Sequence, residues 1–132
     1  MIPSSDTKTI LGVDPCEEIC ELIQIILVRI GYHVLTATNA ADAMLLAHDT
    51  PKIDLLLSDI EIPDMRGDHL AAEITTLHPS ASVIFATDWF HPIEATVPFT
   101  LLRKPFTIEQ LRAAVHRALL KHPASAEMAH AA

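Results

Sequence analysis

Apolar residues fall into two alternating patterns along the chain. Short, nearly continuous aliphatic runs occupy residues 9–13, 33–37, 53–57, 82–86 and 99–102. Runs of this length suit strands covered on both faces, where no polar side chain has to point outward. Between them, apolar residues recur every three or four positions, the spacing of one helix face. Ile19, Leu22, Ile23, Ile26, Leu27 and Ile30 make the first such stripe. Ala43, Leu46 and Ala47 make the second, Leu70, Ile74 and Leu77 the third, and Leu111, Ala114, Val115, Ala118 and Leu119 the last.

Local signals mark where these helices begin and end. Pro15 is expected as the first helical residue, where its missing N–H costs nothing, with Glu17 and Glu18 favourably placed in the first turn. Gly31 supplies a left-handed stop. Asn39 is expected to cap the second helix and Asp68 the third, which Pro79 closes. Thr107 followed by Gln110 forms a capping box for a last helix running to about residue 121. Between the fourth and fifth strands, Pro92 and Pro98 leave room for a helix of one or two turns at most. Five buried strands alternating with about five helices predict an α/β fold: a doubly wound, five-stranded parallel sheet of flavodoxin-like type. Right-handed crossovers make 2-1-3-4-5 the expected strand order. The domain is expected over residues 8–121, with a disordered start at 1–7 and a flexible tail at 122–132.

Composition narrows this picture. The 132 residues fit one domain; half are hydrophobic but only 5% aromatic, so the core is aliphatic. A net charge of −8 argues against direct nucleic-acid binding, which needs a basic face. No apolar run is long enough to span a membrane and no signal-peptide pattern opens the chain, so a cytoplasmic protein with no membrane partner is expected. Cys16 and Cys20 read as packing residues, and the eight histidines lack the spacing of a zinc site.

Four polar residues stand at strand ends or just beyond. In the expected order, the first and third strands flank the point where the winding reverses, and they end at Asp14 and Asp59. Thr87 ends the fourth strand and Lys104 follows the fifth. Converged in one crevice, two carboxylates suit a hard cation such as Mg2+. With an ammonium and a hydroxyl beside them, they suit a phosphoryl group, which Asp59 would take up by attacking phosphorus.

These residues, with their flanking segments Ile10-Leu11-Gly12-Val13-Asp14, Leu57-Ser58-Asp59-Ile60-Glu61-Ile62-Pro63-Asp64-Met65-Arg66-Gly67, Phe85-Ala86-Thr87 and Lys104-Pro105-Phe106, resemble the receiver domains of bacterial response regulators. The resemblance runs from about Lys8 to Lys121. It implies that Asp59 is the phosphoacceptor, Asp14 a magnesium-site acid and Glu61 a metal ligand through its backbone carbonyl. Thr87 becomes the hydroxyl that follows the phosphoryl group, Lys104 its ion-pair partner, and the Lys104–Pro105 peptide is implied to be cis. The donor would be a histidine kinase or a histidine phosphotransfer protein, and the output contact with a downstream protein rather than turnover of a separate substrate. Phe90, Ile93, Val97, Phe99 and Leu101 are candidate docking residues.

Three features depart from the family pattern. Pro15 stands where receivers carry a second acid, which weakens the expected metal site. Leu101 stands where a rotating aromatic residue is common, so switching is expected to use another element. Thr87 and Lys104 are 17 positions apart, about one helical turn short. The Phe-Ala-Thr sequence and shortened fourth helix are similar, more loosely, to single-domain receivers of alphaproteobacterial stress signalling. Pro15 and Leu101 also fit an alternative, a pseudo-receiver that binds partners without phosphorylation. A small phosphatase is disfavoured because the chain has no recognisable cap domain or substrate pocket.

Overall fold

The computed structural model describes residues 7–120. Its elements, in chain order, are β1 (Thr9–Val13), α1 (Glu17–Ile30), β2 (His33–Ala37), α2 (Ala40–Asp49), β3 (Leu55–Ser58), β4 (Glu61–Ile62), β5 (Met65–Arg66), α3 (Gly67–Leu77), β6 (Ser82–Thr87), β7 (Thr100–Arg103) and α4 (Ile108–Leu120). Five strands form a parallel sheet in the order β2-β1-β3-β6-β7, which is the expected order with the short hairpin β4–β5 set aside. The expected flexible start and tail, and the last residue of the final helix, fall largely on residues outside those described.

Alternate strand residues build the two faces of the core. Leu11, Val13, Leu56, Val83 and Phe85 pack with the buried residues of α2 and α3 on one side. Ile10, Leu55, Leu57 and Ile84 pack with those of α1 and α4 on the other. Side chains that alternate between two covered faces explain why these strands read as unbroken aliphatic runs.

Several termini behave as expected. Gly31 adopts φ 117°, and its N–H bonds the carbonyl of Val28 at 3.0 Å. Asn39 caps α2 by accepting from the Asp42 N–H at 2.8 Å. The Thr107–Gln110 box is reciprocal: Gln110 N–H donates to Thr107 Oγ1 at 3.0 Å, and Thr107 N–H to Gln110 Oε1 at 2.8 Å.

Other expectations are corrected. Pro15 is not the first helical residue: α1 starts at Glu17 with Cys16 in the capping position. The cause is Asp14, whose carboxylate accepts from the Cys16 N–H at 2.9 Å and turns the chain before the helix starts. Asp68 does not cap α3 but lies inside its first turn, because its carboxylate is bound to Arg66. Leu22, Ile30 and Leu77 are exposed; α1 buries a face centred on Cys20, Ile23, Ile26 and Leu27 instead. The third and fifth strands begin one or two residues later than their apolar runs. Residues 88–99 contain no helix, leaving four helices among the described residues. Pro92 and Pro98 remove backbone donors and restrict the residues before them, and this short stretch has no other helix-forming signal. Of the candidate docking residues, Ile93, Val97 and Phe99 pack partly buried against the core, whereas Phe90 and Leu101 are exposed.

Candidate functional site

Parallel pairing sets Val13 beside Ser58, so the next residues, Asp14 and Asp59, stand side by side at the carboxyl ends of β1 and β3. Their backbones continue the ladder: Asp14 N–H bonds Ala37 O at 3.1 Å, and Asp59 N–H bonds Val13 O at 2.9 Å. Both residues are buried, with 2% and 6% of their surface exposed. Thr87, the last residue of β6, is fully buried and donates its hydroxyl proton to Asp59 Oδ1 at 2.6 Å. Lys104 follows β7, tied to Thr87 by a backbone bond of 3.1 Å, and the Lys104–Pro105 peptide is cis. Its Nζ donates to Asp14 Oδ2 at 2.6 Å and to Asp59 Oδ2 at 2.7 Å. Burial disfavours the ammonium, but hydrogen bonds and charge from Asp14 and Asp59 outweigh it and raise the Lys104 pKa.

Glu61 joins through its backbone. Its N–H donates to Asp59 Oδ1 at 3.1 Å while the residue itself is exposed. The turn that carries it is clamped at two points. Gly67 N–H bonds Ile60 O at 2.8 Å, and a Cβ at Gly67 would lie 1.9 Å from the Asp59 carbonyl oxygen, so only glycine fits this crossing. Across the turn, Asp64 accepts from the N–H groups of Ala40 at 2.7 Å and Ala41 at 2.9 Å. The Asp64 carboxylate thereby caps α2 together with Asn39, and these two N–H groups lower its pKa.

All five residues singled out from the sequence thus meet at one end of the sheet: Asp14, Asp59, Glu61, Thr87 and Lys104. Pro15 is exposed and brings no carboxylate. No group of three or more His, Cys, Asp or Glu residues able to hold a metal occurs among the described residues. The two carboxylates still fit one hard cation, because an oxygen of each already converges on a single charged nitrogen.

The sequence reading missed three supports. Asp64 reaches a helix 24 positions away in the chain. Arg66 and Asp68, two positions apart, form a partly buried ion pair with two hydrogen bonds of 3.0 and 2.7 Å. Trp89 donates its backbone N–H to Thr87 Oγ1 at 3.1 Å. The Gly67 crossing sits inside a motif noted in sequence, but its backbone contact has no sequence signal.

The profile of the family described as "Response regulator receiver domain" matches residues 10–116, and the chain belongs to that family. The sensor kinase CckA of Brucella abortus (strain 2308) is 29% identical over 97 residues, covering 69% of this chain and 10% of that protein. The transcriptional regulatory protein GlrR of Escherichia coli (strain K12) is 30% identical over 115 residues, covering 83% of this chain and 26% of that protein. The chain therefore spans about a tenth to a quarter of the length of these relatives. Among solved structures, the signal receiver domain of an HD domain-containing protein from Pseudomonas fluorescens Pf-5 superposes with a TM-score of 0.77 at 28% identity, covering 86% of this chain and 95% of that one. No helix among the described residues is long and apolar enough to cross a membrane.

Proposed function

We propose that this receiver accepts a phosphoryl group on Asp59 from the phosphohistidine of a histidine kinase or phosphotransfer protein, and signals through contact with a downstream protein. The observation that supports it best is the pair of donors on Asp59: the Thr87 hydroxyl at 2.6 Å on one oxygen and the Lys104 ammonium at 2.7 Å on the other. In the transfer, an Asp59 oxygen attacks phosphorus, the phosphorus–nitrogen bond to histidine breaks, and the electron pair leaves with the imidazole. Lys104 and Thr87 are then placed to meet the charge carried by the phosphoryl oxygens. Asp14, Asp59 and the Glu61 carbonyl would hold Mg2+, which when bound supplies further neutralisation of that charge.

Pro15 favours a second reading, in which the domain binds partners without phosphorylation. Lys104 already bridges both carboxylates, so the acids are neutralised in part without a metal. Incubation with Mg2+ and acetyl phosphate, read by intact mass spectrometry, separates the two. A single phosphoryl addition that Asp59→Asn removes is expected; no addition at any Mg2+ concentration leaves the second reading. Pro15→Asp then tests the cause, with Mg2+ affinity expected to rise about 10- to 100-fold, the range by which supporting groups tune metal sites.

A further inference from the structure

Residues 88–99 contain no helix and lie on the α3 side of the sheet. They are held to α3 through Asp68, whose Oδ2 accepts from the Glu94 N–H at 2.6 Å. Ile93, Ala95, Val97 and Phe99 pack on that face of the core but stay partly exposed. At the end of this thin cover, a cavity of about 90 Å³ opens between the α3–β6 connection, the start of β7 and α4. Pro79, Ala81, Val83, Val97, Phe99 and Ala118 line it, and no charged side chain does. Thr75 and Ser82 also reach it, but their hydroxyls already donate, to the Ala71 carbonyl at 2.8 Å and the Ala118 carbonyl at 3.0 Å. The cavity therefore suits a small apolar group, of the size of a single side chain.

This cavity lies beside the point where the chain leaves the domain. Ala118 lines it, and α4 ends two residues later at Leu120. The sequence then continues Lys121-His122-Pro123-Ala124-Ser125-Ala126-Glu127-Met128-Ala129-His130-Ala131-Ala132, in which Met128 is the only large apolar residue. Pro123 opposes continuation of the helix, which allows a turn away from the α4 axis. Met128 comes eight positions after Leu120, a stretch that spans at most about 29 Å when extended. From Ala118 to Leu120 the helix rises only about 3 Å, so the way back to the cavity is well within reach. A tether this short keeps its end at an effective concentration in the millimolar range, enough to populate a contact that is weak between free molecules. Methionine suits the space, because it is unbranched, fills irregular gaps and packs well against aromatic rings such as that of Phe99.

We propose that this cavity is the seat of the chain's own C-terminal segment, with Met128 held against Val83, Val97 and Phe99. The contact joins α4 to the residues before β7, across the flank that has no helix. It is autoinhibitory in form: a partner that offers an apolar side chain to this flank has to displace Met128 first. No part of the contact involves Asp59, so it holds whether or not that residue accepts a phosphoryl group.

The full chain, with carbon-13 in its methionine methyl groups, tests this by NMR. Met128 is identified among the four methionines by the signal missing from Met128→Leu. Nuclear Overhauser contacts are expected from the Met128 methyl to the Phe99 ring and to the Val83 and Val97 methyls. Met128→Asp should shift the signals of those three residues, because an apolar cavity excludes a carboxylate, and Met128→Leu should shift them less. In a second arm, mass spectrometry follows peroxide oxidation of Met128, expected to be slower in the folded protein than in the urea-unfolded chain. A Met128 methyl without contacts to these residues overturns the proposal, as does oxidation at the unfolded rate. Signals of the cavity residues that are identical in Met128→Asp and wild type overturn it as well. Contacts found only between labelled and unlabelled copies assign the cavity to a second copy and overturn the intramolecular seat. Both substitutions lie outside the sheet and its helices, so the fold survives them.

Discussion

Lys104 holds its proton more tightly than a free lysine because two buried carboxylates share its ammonium. A folded-state pKa raised above the ordinary value of 10.5 contributes stability that is fully present below that pH and is lost as pH rises through the folded value. Urea midpoints measured at pH 9 and pH 11.5 should therefore fall more in the wild type than in Lys104→Met, which has no such proton to lose. Equal falls would show that the bridge does not couple to folding. That Lys104 could be placed at all from sequence follows from its position: one residue past a strand whose neighbour ends at Thr87. Asp14 and Asp59 were legible for the same reason, since strand order alone brings their strand ends together. Glu61 was legible only by resemblance, because its contribution runs through its backbone. Asp64 was not legible, since nothing near it in the chain identifies the α2 terminus that its carboxylate caps.

At the scale of elements, the segment between β6 and β7 shows what replaces a helix. Its short length and two prolines were readable, but the ion pair that anchors it was not: Arg66 and Asp68 are two apart, which matches no helical spacing. The Asp68 carboxylate is completely buried whereas the Arg66 side chain is 33% exposed, so the two partners are not equivalent. Arg66→Met strands a buried negative charge and should be the more destabilising change. Asp68→Asn leaves an arginine that water can reach and should cost less, about 1–3 kcal/mol. Urea denaturation checks the order, and faster hydrogen exchange across residues 88–99 should accompany both losses. Burial opposes the ionised Asp68, but the Arg66 hydrogen bonds and the Glu94 N–H outweigh it and lower its pKa. The contribution of the pair is thus present above the ordinary value of 3.8 and lost as pH falls through the lower folded value. The misplaced caps have the same origin as this pair. Asp14 and Asp68 each use a carboxylate on a neighbour that composition does not reveal, and the helix start moves accordingly.

Across the whole molecule, acidic groups outnumber basic ones by 17 to 9, and the site repeats that imbalance with two carboxylates against one ammonium. The sheet order, read correctly from the alternation of apolar patterns, is what forces this arrangement: it sets two acidic strand ends in adjacent positions and closes them under β6 and β7. A fold that concentrates negative charge in this way is stabilised by a cation: Lys104 supplies one, and Mg2+ would supply a second if Asp14 and Asp59 hold it. Removing the lysine separates them. Without Mg2+, Lys104→Met should lose about 3–5 kcal/mol, because two buried carboxylates are left facing each other. If Asp14 and Asp59 hold Mg2+, added Mg2+ should restore about 2.7 kcal/mol when its concentration reaches roughly 100 times the dissociation constant. The wild type should gain less at the same concentration, since its acids already hold an ammonium. Adding Pro15→Asp to Lys104→Met should move the midpoint of the Mg2+ dependence to lower concentration. Thermal unfolding over a Mg2+ series in these three proteins makes the comparison. If Mg2+ leaves Lys104→Met as unstable as before, Asp14 and Asp59 do not form a cation site, and Lys104 is the only counterion the crevice accepts.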